Sequence, residues 1–76
     1  MLDRYEYVLT DSDVVQMARE FHCPEIDRGV WTLLEDRVLS IHRGVLAIQH
    51  RGSMTAVALD NLTRSRMRHI FETGWL

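Results

Sequence analysis

Apolar residues recur along this chain with two different periods. Val14, Met17, Ala18 and Phe21 fall at helical spacing, which predicts an amphipathic helix with one face toward a core. Thr10 is its N-cap, and Asp13 at the third helical position approximates a capping box with a shorter acid. Leu9 and Val14 are placed as a hydrophobic staple, and Asp11 and Asp13 suit the positive end of the helix dipole. Pro24 stops this helix at about His22. A second stripe, Met67, Ile70 and Phe71, predicts a helix beginning near Thr63, with Leu62 stapled to Met67 and Gly74 at its end. Trp75 and Leu76 follow as an apolar tail that either folds back on the sheet or is offered to a partner.

Elsewhere the pattern alternates. Residues 5–9 read as a short strand with Tyr5, Tyr7 and Leu9 on one face. Residues 26–34 fit a helical period through Ile26, Val30, Leu33 and Leu34, yet Gly29 and the run Val-Trp-Thr-Leu-Leu fit a strand equally well. The strand is preferred, because the segments that follow are sheet-like. Glu35-Asp36 turns into a strand at 37–42, Arg43-Gly44 turns into one at 45–50, and Arg51-Gly52 turns into one at 53–59. His42-Arg43-Gly44 recurs as His50-Arg51-Gly52 at opposite ends of the sheet, which is one turn solution used twice. The predicted fold is α+β, in the order β-α-β-β-β-β-α. A small antiparallel sheet of three to five strands packs one face against an N-terminal and a C-terminal helix.

Size narrows the functional classes. The chain has 76 residues and a mass of 8.9 kDa, so residues 1–76 are read as one small domain. A chain of this mass buries roughly 60% of its unfolded surface, enough for one core but not for a deep cofactor cavity. Doubly wound nucleotide folds and barrel enzymes need longer chains. The apolar fraction of 46% belongs to a globular protein. No apolar run reaches the roughly 20 residues of a membrane span, and the first residues lack the pattern of a signal peptide. Cys23 is alone, so an internal disulfide is excluded and a cytoplasmic setting is expected.

The net charge of −2 conceals an uneven distribution. Residues 1–36 hold nine acids and three arginines, a net −6; residues 37–76 hold two acids and six arginines, a net +4. Every cationic side chain apart from the histidines is arginine, whose rigid fork suits carboxylate or phosphate. Arg64 and Arg66 are the sharpest local anomaly, because cations are disfavoured in the first turn of a helix. They answer to an acid of the N-terminal half or Asp60, to a partner's carboxylate, or to a phosphate.

Reactive constellations are weak. His22, Cys23, His42, His50 and His69 are the soft ligands available, and only His22 and Cys23 are neighbours, so no metal is expected. Adjacency does not aim His22 at the Cys23 thiol, and no third group orients it, so no enzyme and no cofactor are expected.

The reading is therefore a small noncatalytic protein-interaction module, a regulator or inhibitor that docks on a partner protein, with a homodimer expected for so small a core. One contact patch is assigned to Arg64, Arg66 and Arg68, another to Asp11, Asp13, Glu35 and Asp36, with Trp75 as an anchor. The alternative is a nucleic-acid-binding regulator that uses Arg43, Arg51, Arg64, Arg66 and Arg68.

Overall fold

The structure, a computed structural model, describes residues 9–75. It is α+β: a five-stranded antiparallel sheet with one helix before it and one after. Helix α1 spans Asp11–Glu20. Strands β1 (Glu25–Asp27), β2 (Val30–Leu33), β3 (Arg37–His42), β4 (Val45–His50) and β5 (Ser53–Ala58) follow in sequential order across the sheet. A 3₁₀ turn at Leu59–Asn61 leads into helix α2, Arg64–Thr73. The strand expected at 5–9 lies outside the described residues except for Leu9, which is buried ahead of α1.

Local chemistry explains the boundaries. The Asp13 amide donates to the Thr10 hydroxyl at 3.3 Å, and the Thr10 amide donates back to Asp13 Oδ2 at 2.9 Å, completing the capping box. The helix ends one turn before Pro24 rather than at His22. The Cys23 amide donates to the Ala18 carbonyl at 3.0 Å and the His22 amide to Arg19 at 3.1 Å. This is a Schellman closure, with His22 at φ 56° where glycine is usual. Helix α2 is capped by Thr63, whose hydroxyl accepts the Arg66 amide at 3.1 Å, and closes at Gly74 with φ 80°.

The segment expected as one strand over 26–34 is instead a hairpin, β1 and β2, broken at Arg28-Gly29. Gly29 adopts φ 73°, and a Cβ there would lie 3.0 Å from the Ile41 carbonyl. The Asp27 carboxylate caps the turn by accepting the Arg28 amide at 2.8 Å. Strands β3 and β4 match the expected bounds, and β5 closes one residue early where the 3₁₀ turn begins. Both Arg-Gly turns place their two residues at positive φ, Arg43 at 48° and Arg51 at 52°, the backbone of two-residue hairpins that follow the twist of the sheet.

Alternation sets the two faces of the sheet. Trp31, Leu33, Leu39, Ile41, Leu46 and Ile48 point to one side and are buried. Val14, Met17 and Ala18 of α1, Met67, Ile70 and Phe71 of α2, and Leu59 and Leu62 cover them. Phe21 and Phe71 stack with centroids 5.3 Å apart and join the two helices. Among the described residues the opposite face of the sheet carries no helix.

Candidate functional site

Three features of the folded chain bear on function. The first lies where the two helices start. Arg64 Nη2 reaches Asp13 Oδ2 at 3.0 Å, so the same carboxylate closes the cap of α1 and neutralises the first turn of α2. For Arg64 this accounts for a cation at a helix start: an acid of the N-terminal half lies beside it. Burial acts to raise the Asp13 pKa, but the Thr10 amide and hydroxyl together with Arg64 overcome it and hold the carboxyl below its ordinary range. Beside it, Asp11 Oδ1 accepts the Gly44 amide at 2.9 Å and ties α1 to the β3–β4 turn. Both acids thus have structural partners within the chain.

The second feature is at the other end of the sheet. Gly74 turns the chain back so that Trp75 lies over Arg37, with the guanidinium carbon 4.1 Å from the ring centroid. His50 meets the Trp75 ring edge-on at 5.3 Å. Asp36 hydrogen-bonds His50 Nε2 at 2.8 Å and pairs with Arg37 at 3.3 Å, with Arg51 at 3.9 Å. The hydrogen bond with His50 is the main reason the Asp36 carboxyl sits below its ordinary range, aided by the charges of His50, Arg37 and Arg51 and opposed by slight desolvation. A groove of about 500 Å³ opens here, lined by Ile48, His50, Arg51, Ser53, Thr55 and Trp75. Arg37 Nε is buried under the ring and finds no hydrogen-bond partner among the described residues. The apolar tail therefore folds back on the sheet at Trp75, while more than half of the Trp75 surface stays exposed.

The third feature is the face of the sheet that the described helices leave uncovered. Its positions include Val30, Val38, Val45, Ala47, Met54 and Ala56, with Thr32, Ser40 and Gln49 among them. Solvent faces of antiparallel sheets are ordinarily polar at these positions. Here no Asp, Glu or Arg points outward from β2 to β5, although 26% of the chain is charged. His42 stands at one corner.

The residues singled out from sequence thus separate. Asp11, Asp13 and Arg64 gather at the helix starts. Asp36, Arg51 and Trp75 gather at the far end, with exposed Glu35 beside them. Arg66 and Arg68 stand exposed on α2. Arg43 and Arg51 occupy opposite ends of β4, roughly 20 Å apart along a six-residue strand, so the five arginines do not form one continuous patch. Sequence reasoning missed Arg37 and His50. Their signal was register: Arg37, His50 and Ser53 fall opposite one another across three strands. The uncharged outward positions were also legible by alternation.

Cys23 is half-buried, and burial pushes its thiol pKa up. Among the described residues no group of three or more His, Cys, Asp or Glu side chains could hold a metal ion. No described helix is long and apolar enough to cross a membrane. Comparison with protein-family models, curated proteins and solved structures finds no match.

Proposed function

We propose that this protein is a noncatalytic protein-interaction module, a small regulator or inhibitor that docks on a partner protein. The observation that carries this reading is the sheet face left uncovered among the described residues, which is apolar or uncharged from β2 to β5 while the rest of the chain is rich in charge. Such a face is costly to leave in water and is suited to meeting a flat apolar surface of a partner. Met54 is 69% exposed and Val45 44%, so the face offers contact area without rearrangement. Arg66 and Arg68 lie on the opposite layer. There they act by long-range attraction on an acidic partner rather than as contacts.

The test compares three full-length baits in cross-linked extract: wild type, Ala47→Arg at the centre of the open face, and Arg66→Glu/Arg68→Glu on α2. A partner captured by wild type should be lost with Ala47→Arg and weakened, in a salt-dependent way, with the α2 double variant. Equal capture by wild type and Ala47→Arg refutes docking on this face. Strongly salt-dependent binding of DNA or RNA, lost with the arginines, would establish the nucleic-acid alternative instead.

A further inference from the structure

The two edges of the sheet are built differently. The β1 edge is three residues long and irregular in register, carries Glu25 and Asp27, and is followed by Arg28. Short, charged and bulged edges resist pairing with another chain. The β5 edge has none of these defences. It runs six residues, Ser-Met-Thr-Ala-Val-Ala, in unbroken register with β4, with no charge and no proline.

The backbone of β5 can be placed residue by residue. In a two-residue hairpin the closing pair, here His50 and Ser53, exchanges hydrogen bonds, and the pattern then alternates. Ser53, Thr55 and Val57 therefore face β4, and the Leu59 amide continues the same parity by donating to the Gly44 carbonyl at 2.8 Å. Met54 and Ala56 direct their N–H and C=O groups away from the sheet, as does the Ala58 N–H, while the Ala58 carbonyl caps the 3₁₀ turn that follows. Among the described residues no strand pairs with them.

We infer that this edge pairs with β5 of a second copy, antiparallel about a two-fold axis at Ala56. The two Ala56 residues face each other, Met54 lies opposite the other copy's Ala58, and about four backbone hydrogen bonds close the seam. Only small side chains meet at the axis. Charge selects this occupant and this direction. Arg51 precedes β5 and Asp60 follows it, both exposed. Antiparallel pairing brings each Arg51 near the other copy's Asp60, so opposite charges frame both ends of the seam. Parallel pairing would set like beside like. The product is a ten-stranded sheet in which the two uncharged faces become continuous. This inference is independent of what docks on that face.

The experiment is sedimentation velocity over a concentration series, with amide exchange read at Met54, Ala56 and Ala58. The expected species has twice the chain mass of 8.9 kDa at high concentration, with those amides protected only there. Ala56→Pro tests the seam without loss of fold, because its N–H points outward, where an edge strand tolerates proline. It should weaken association on the order of 30-fold. Arg51→Glu should also weaken it, and adding Asp60→Arg should restore it. A monomer at every concentration overturns the inference. So does a dimer indifferent to Ala56→Pro but broken by Ala47→Arg, which would place the contact on the open face. Amide protection independent of concentration would assign the edge to the chain's own first residues and equally overturn it. Loss of dimer with partner capture intact leaves the docking reading standing.

Discussion

Gly74 offers the sharpest test of how the C-terminal tail is held. It sits at φ 80°, and a Cβ there would lie 2.8 Å from Leu34 Cδ1 and 2.9 Å from Arg37 Cδ. Gly74→Ala meets two costs. The left-handed backbone disfavours any side chain by about 1–2 kcal/mol. The contacts are unequal: Leu34 is an exposed side chain that can swing away, whereas Arg37 is held under Trp75 and can yield only by leaving the ring. Displacing it adds about 1 kcal/mol. Gly52→Ala is the control, because its φ is 83° and nothing lies within 4 Å of the added Cβ. It incurs the backbone cost alone. The expected losses are about 2–3 kcal/mol at Gly74 and about 1–2 kcal/mol at Gly52. The domain's total stability is about 4–11 kcal/mol, and each kcal/mol moves Tm by about 4–8 °C. Urea unfolding by circular dichroism gives both values, and Trp75 emission should shift in Gly74→Ala only. Equal losses at the two positions would refute the close-packing account.

Four further outcomes follow from the same structure. Leu46→Ala, at a fully buried position, should cost about 2–5 kcal/mol in the same assay and leave little folded protein at 37 °C. A double-mutant cycle with Asp13→Ala and Arg64→Ala should give a coupling of about 0.5–1 kcal/mol, with the Asp13 change also removing the α1 cap. Because Asp13 and Asp36 have lowered pKa values when folded, their contribution is present above the unfolded carboxylate range near pH 4 and is lost as pH falls through the lower folded values; acid titration of Tm should show that decline. Arg43→Asn should stabilise by about 0.5 kcal/mol, since asparagine accepts the φ of 48° more readily.

Much of the fold was legible because its cues are local. Thr10 with Asp13, Thr63 and Gly74 mark helix ends through bonds made within one turn. The two Arg-Gly pairs mark hairpins, and alternation marks which residues of β3 and β4 turn inward. Residues 25–34 were harder, because the Gly29 turn is tied from another strand, where the Ile41 amide donates to the Gly29 carbonyl at 2.9 Å. The helix stops at Glu20, two residues ahead of the expected end near His22, because His22 takes the left-handed closing position that glycine more often fills.

The site divides in the same way. Sequence alone determined an α+β fold, both described helices and strands β3 to β5, the inward stripes and the separation of acids from arginines along the chain. It could not say whether those charges cancel, because Coulomb energy depends on distance in space and not on order in the chain. Tertiary structure decided that. It set Asp13 beside Arg64, gathered Asp36, Arg37, His50 and Trp75 from three places, and left one sheet face and the β5 edge uncovered by any other described residue. The two described helices lie on the same side, so among the described residues the open surfaces are those that neither helix reaches.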